Sequence, residues 1–168
     1  MESRTDDYYE ELTESQGGQV NGLCGAAVCG LLFLTTGRDN GPTRVTVEVL
    51  DAPAPIGDEW EDVVEASFRP ATTKVALVQW GGEHCPLALA PIDYRVRYSA
   101  TGMDRVRGRY TLLEPPLDRY LLQLWPALQA PDAVIRETSH YAAYWHAHAR
   151  TLPPPPTPLE RGGPRRPW

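Results

Sequence analysis

The strongest constraint on this chain is a two-residue hydrophobic period that recurs in short runs, each closed by glycine or proline. "TRVTVEVLD" (43–51) sets Val45, Val47 and Val49 against Arg44, Thr46 and Glu48. "EWEDVVEASFR" (59–69) points Trp60, Val64, Ala66 and Phe68 one way and Glu59, Glu61, Glu65 and Ser67 the other, with Asp62 as a polar intruder on the apolar side. "DYRVRYSA" (93–100) opposes Tyr94, Val96 and Tyr98 to Arg95 and Arg97, and "RYLLQLWPA" (119–127) places Tyr120, Leu122 and Leu124 on one face. Side chains alternate across a strand, so each run is a half-buried strand. "TKVALVQW" (73–80) is apolar on both parities and predicts a strand buried on both sides. The breaks "GRDNGP", "APAPIGD", "GGEHCP" and "EPPLD" are turn chemistry.

Short strands separated by such turns, without alternating helices, predict an all-β fold: an antiparallel β-sandwich of six to eight strands. One helix interrupts the pattern. Ser139 can cap "HYAAYWHAHA", and "TLPPPP" must end it, giving one C-terminal α-helix. Tyr94, Val96, Tyr98, Leu122 and Leu124 are the core residues that this register predicts.

The ends differ from the middle. Residues 1–21 hold six carboxylates (Glu2, Asp6, Asp7, Glu10, Glu11, Glu14) against Arg4, and predict an acidic flexible arm. Residues 151–168 are a proline-rich basic tail, expected to be extended and disordered. The folded domain is then 22–150. The apolar run "GLCGAAVCGLLFL" (22–34) follows acids where a secretory leader needs a basic region, and it is short of the ~20 residues of a membrane helix. It reads as a buried strand or a pair of short strands in a cytoplasmic protein with no membrane partner. Cys24, Cys29 and Cys85 are too few and too irregular for a disulfide framework. On one strand Cys24 and Cys29 would lie ~17 Å apart on opposite faces. All three read as small buried hydrophobes.

The net charge of −6 and pI near 5.2 argue against direct nucleic-acid binding and suit either a soluble protein or one with a basic protein partner. Fifteen of the sixteen basic residues are arginine, Lys74 being the exception. Arg95 and Arg97 share a strand face, and Arg105, Arg107 and Arg109 continue at the same spacing. Five guanidinium groups together could grip a carboxylate or phosphate. Glu59, Glu61 and Glu65 on another outer face offer cross-strand partners that need no ligand. These eight residues are the candidate binding set.

No catalytic or cofactor pattern stands out. There is no "GxSxG" elbow, no phosphate loop and no carboxylate pair in an apolar setting. His140 and His148 lie ~12 Å apart along a helix, too far to share a metal, so neither a cofactor nor a metal is expected. A hydrolase using His84, His140, His146 and His148 is the remotest reading. A small-ligand or carbohydrate-binding sandwich built on Trp60, Trp80 and Trp125 is the nearer alternative to a non-catalytic protein-binding module.

"EWEDVVEASF", "YRVRYSATGMD" and "YLLQLWPA", spanning roughly 59–127, resemble a signature of small actinobacterial-type proteins of unknown function. More distantly, size, acidity and strand order are similar to the competence protein J family, which inhibits a DNA-entry nuclease. That resemblance implies an acidic inhibitor or immunity-type partner of a basic enzyme such as a nuclease.

Overall fold

A computed structural model describes residues 12, 14–38, 41, 43–79, 84–108 and 116–156. Among them the chain is largely all-β, with a five-stranded sheet at its centre and a helix near its C-terminus. Nine strands are present among the described residues: β1 (Cys24–Gly25), β2 (Phe33–Leu34), β3 (Arg44–Val49), β4 (Asp62–Phe68), β5 (Val75–Val78), β6 (His84–Leu87), β7 (Tyr94–Thr101), β8 (Arg119–Pro126) and β9 (Ala133–Arg136). The central order is β3-β8-β7-β4-β9, antiparallel throughout except for β3 beside β8. β3 and β8 are far apart in sequence, and alternation within each strand carries no information on their relative direction. β1–β2 and β5–β6 are separate two-stranded ribbons.

The alternation sorts the central sheet into two faces. Val64, Ala66, Phe68, Tyr94, Val96, Tyr98, Tyr120, Leu122 and Leu124 form the inner face, and all are buried. The five predicted core residues are among them. Leu23, Cys24, Leu89, Met103, Tyr141 and Ala142 cover this face, with Leu32, Leu34, Leu87 and Trp145 at its margin. The second layer therefore consists of the β1–β2 ribbon, one end of β5–β6 and two helices, α1 (Met103–Val106) and α2 (His140–Ala149). The run 22–34 is indeed a pair of short strands.

Three expectations need correction. β5 is not buried on both faces: Ala76 is exposed and Val78 is 55% exposed, because β5 pairs only with β6 and lies outside the central sheet. Cys24 is buried, and its removal from water disfavours the thiolate and pushes its pKa up to about 12. Cys29 and Cys85, however, are free and exposed, on a loop and on the peripheral ribbon. Third, the docked structure reaches further toward the N-terminus than composition implied. Leu12, Ser15, Gln16, Gln19 and Asn21 are buried. Gln16 Nε2 donates to Gly22 O and Thr35 Oγ1, and Gln19 bonds to Cys24 O and Ala26 N. Gly18 N donates to Leu152 O, so the start of the proline-rich segment lies against this stretch. Residues 1–11, 13 and 157–168, the rest of the arm and tail, lie outside the described residues.

α2 begins where Ser139 Oγ accepts from Ala142 N, as its sequence predicts. The same serine is fixed from the sheet. Asp62, the polar intruder of β4, is fully buried; its Oδ1 accepts from Thr138 N and Ser139 N, and its Oδ2 from Ser139 Oγ. Asp104 of α1 accepts from His140 N and Tyr141 N. Its partial burial works against ionisation, but these two backbone donors prevail and hold its pKa below the usual value. At the other end His146 is buried, and its Nδ1 accepts from Gly22 N. A Cβ on Gly22 would collide with Trp145 O, so only glycine permits this approach of chain to helix.

These anchors can be measured. Asp62→Ala strands two buried donors, Ser139 N and Oγ, and the part-buried Thr138 N, and should lower unfolding free energy by about 2–4 kcal/mol, read by urea denaturation; a loss below about 0.5 kcal/mol would contradict the anchoring role. Burial lowers the pKa of His146, against the opposing pull of Glu137. Below pH 6.5 the unfolded chain then binds the proton that the folded chain resists, so stability falls as pH drops from there through the folded pKa. His146→Gln, measured across that window, should show a shallower acid-side loss than the native chain.

Candidate functional site

The outer face of the central sheet carries the candidate residues. Register aligns Glu48, Gln123, Arg97 and Glu65 in one row across β3, β8, β7 and β4. Gln123 Nε2 donates to Glu48 Oε2 at 2.8 Å. Arg97 Nε and Nη2 donate to Glu65 Oε1 at 3.0 and 2.9 Å, and Arg95 Nε donates to Glu65 Oε2 at 3.1 Å. One carboxylate thus serves two guanidinium groups, and both arginines are buried rather than solvated.

Both arginines also reach main-chain carbonyls. Arg95 Nη1 donates to Ala130 O and Pro131 O. Arg97 Nη1 donates to Ala54 O, and its guanidinium lies 5.1 Å from the centroid of the Trp125 ring. These carbonyls belong to the proline-rich segments on either side of the strands, "APAPIGD" and "PALQAPD". Proline has no N–H for a ladder, so such segments do not extend the sheet. They lie across it instead, held by the planar fork of each arginine.

Arg136 of β9 completes the support. Its Nη1 donates to Gly57 O at 3.0 Å and to Trp60 O at 2.7 Å. The β3–β4 loop, residues 50–61, is therefore fastened at Ala54, Gly57 and Trp60 by two arginines. Asp51, Asp58 and Glu59 on this loop are exposed. Asp58 has only a 3.9 Å approach to Arg136 Nη2 and is otherwise in solvent. The arrangement is a loop whose backbone is bonded to the sheet at three carbonyls and which displays carboxylates to solvent.

The eight predicted residues do not form one surface. Arg95, Arg97 and Glu65 make the cluster just described. Glu59 and Glu61 precede β4, so they do not continue the row of Glu65; Glu59 is exposed, and Glu61 accepts from Gly102 N at 2.7 Å and meets Arg105 at 3.5 Å. Gly102 takes a positive φ of 82° at this turn into α1, where a side chain would be strained. Arg107 leaves the row as well and lies over Tyr141, 5.2 Å from its ring centroid. Arg109 lies outside the described residues. The stretch 103–106 folds as helix, which turns these arginines away from a common strand face.

The tryptophans are similarly dispersed. Trp125 is buried beneath Arg97, Trp60 is half-buried beneath Arg119, and Trp80 lies outside the described residues. His84 and His140 are exposed, and His140 Nδ1 lies 3.2 Å from Asp104. Among the described residues no three His, Cys, Asp or Glu side chains gather as a metal site. No helix among the described residues is long and apolar enough to cross a membrane.

Sequence reasoning passed over Asp51, Asp58 and Arg136. The acids lie in a turn, and Arg136 lies in β9, a four-residue strand too short to stand out by alternation. The signal that could have found the loop is the string "APAPIGD", whose surplus carbonyls demand donors. Searches against protein-family models, curated proteins and solved structures found no match to this chain.

Glu65→Gln removes the charge that balances Arg95 and Arg97 while keeping the shape. It should cost about 3–5 kcal/mol of unfolding free energy. Denaturant titration checks this, and a loss under about 1 kcal/mol would show that the carbonyls alone suffice.

Proposed function

We propose that this protein is a non-catalytic protein-binding module, an inhibitor or immunity-type partner of a basic enzyme such as a nuclease. The observation that carries the reading is the arginine-fastened loop with Asp51, Asp58 and Glu59 exposed. Carboxylates held at fixed positions can imitate the phosphates that a basic cleft binds, and they pair with its Arg and Lys side chains. The net charge of −6 supports the same partner. Such a charge steers encounter with a basic cleft and raises the association rate. The tryptophan-based ligand reading draws no comparable support, since Trp125 is capped by Arg97.

The test has two steps. Affinity capture from the native cell with the immobilised protein should retain a basic enzyme, and its activity should fall on addition of the protein. The Asp51→Lys/Asp58→Lys/Glu59→Lys variant substitutes exposed groups, so the fold is expected to persist by circular dichroism. Its association rate with that enzyme should drop at least about tenfold at low salt, and the salt dependence should flatten. Equal association rates for the native protein and the variant would overturn the reading.

A further inference from the structure

The central sheet has two edges, and they differ. β9 is four residues long, and its pairing with β4 shifts register between Val63 and Val64. A bulge of this kind twists an edge and discourages further pairing. β3 is six residues long and pairs with β8 without interruption. Its other side has no strand partner among the described residues.

The backbone on that side can be assigned. Leu50 N donates to Leu124 O of β8. N–H and C=O groups alternate direction along a strand, so Leu50, Glu48 and Thr46 turn theirs toward β8. Val45, Val47 and Val49 then turn theirs outward, away from the sheet.

The side chains on the same strand read Arg44-Val45-Thr46-Val47-Glu48. This string is its own complement when reversed about Thr46. Placed antiparallel to a copy of itself, it sets Arg44 opposite Glu48 at both ends, Val45 opposite Val47, and Thr46 opposite Thr46 on the two-fold axis. The outward backbone groups of Val45 and Val47 meet in that register as hydrogen-bonded pairs. Arg44–Glu48 and Thr46–Thr46 fall at the non-hydrogen-bonded positions, where side chains approach most closely. Opposite residues of an antiparallel pair share a face, so the apolar inner faces of the two copies also join. The ends are available: Arg44 is exposed and makes no ion pair among the described residues, and Glu48 uses only Oε2, for Gln123. A parallel arrangement would instead oppose like charges.

We infer that β3 is a self-association edge, on which a second copy of this chain docks antiparallel about Thr46 to form a two-fold dimer with a ten-stranded continuous sheet. This goes beyond the proposed inhibitor function and does not depend on it. A six-residue strand pair is small beside the interfaces of permanent dimers, so the dimer is reversible and depends on concentration.

The experiment is sedimentation equilibrium on the full chain from about 1 μM to about 1 mM, a range that brackets weak to moderate affinities. The native protein should pass from monomer to dimer and stop there. Arg44→Glu and Glu48→Arg each create like-charge pairs at both ends of the interface, and each should weaken self-association about tenfold or more. In an equal mixture, the first variant presents a carboxylate at both end positions of the strand and the second a guanidinium group at both. Opposite charges then meet at each end, so the mixture should form a heterodimer as tight as the native dimer. Val47→Pro removes an outward donor together with the packing of Val47 against the core, and should abolish the dimer while lowering the melting temperature only modestly. If Val47→Pro unfolds the chain, the charge-swap mixture still decides. A native protein that stays monomeric to ~1 mM, or a dimer indifferent to the charge reversals, overturns the inference.

Discussion

Glu65 is one carboxylate shared by two buried guanidinium groups, and the architecture of the outer sheet face depends on that arrangement. Two cations and one anion leave a positive charge beneath the surface, which would be costly if nothing else compensated it. Carbonyl dipoles do so. Ala54, Ala130 and Pro131 each accept from Arg95 or Arg97. The carbonyls come from segments in which proline has deleted alternative donors, so the need is mutual. The sheet supplies donors that the loops lack, and the loops supply negative potential that the arginines lack. Two irregular segments thereby become a roof over the strands without adding a strand to the sheet.

The inner face follows a different logic. There the hydrophobic effect assembles the layer, and a few buried polar groups fix how the helix sits on it. Asp62, the first residue of β4, stands on the apolar face and bonds to Thr138 and Ser139 at the start of α2. His146, near its end, is bonded by Gly22 of the N-terminal segment. A helix of ten residues could slide or rotate on a purely apolar sheet, whereas hydrogen bonds near both ends specify one position. Asp118 performs a related service at the start of β8, accepting from Arg38 Nε and from the hydroxyl of Tyr120. Tyr120 in turn accepts from Gly37 N and stacks on Tyr98, 5.6 Å between centroids. Polar contacts with long sequence separation thus tie the loops to the core.

The same distinction explains what could be read from the amino-acid string. Tyr94, Val96, Tyr98, Leu122 and Leu124 were legible because period-two alternation and burial have one cause. Ser139 was legible because capping is local. Asp62 was visible only as a violation, since its partners lie more than seventy residues away. The parallel β3–β8 pair and β9 were not legible, because strand neighbours are chosen by packing over the whole sheet. Arg95 and Arg97 were placed on the correct face, yet that face is covered, and the cover consists of loops that alternation does not describe. Asp51 and Asp58 were missed for the same reason: with Glu59, which alternation did mark, they come together only on a loop whose backbone Arg97 and Arg136 hold.

That dependence bears on how acidity is used here. The buried arginines Arg38, Arg95 and Arg97 are matched by the carboxylates Asp118 and Glu65, together with Asp62 deeper in the core. Neutralisation inside leaves the excess of carboxylates outside that set. An exposed acid on a mobile loop would contribute only a diffuse field, screened within about 10 Å at moderate salt. Asp58 and Glu59 differ because the loop under them is bonded to the sheet at Ala54, Gly57 and Trp60. The backbone that carries them is thereby held in place, which is what the proposed pairing with a basic partner requires. Arg97, one of the predicted binding residues, thus lies one layer below the acidic loop and, with Arg136, holds its backbone.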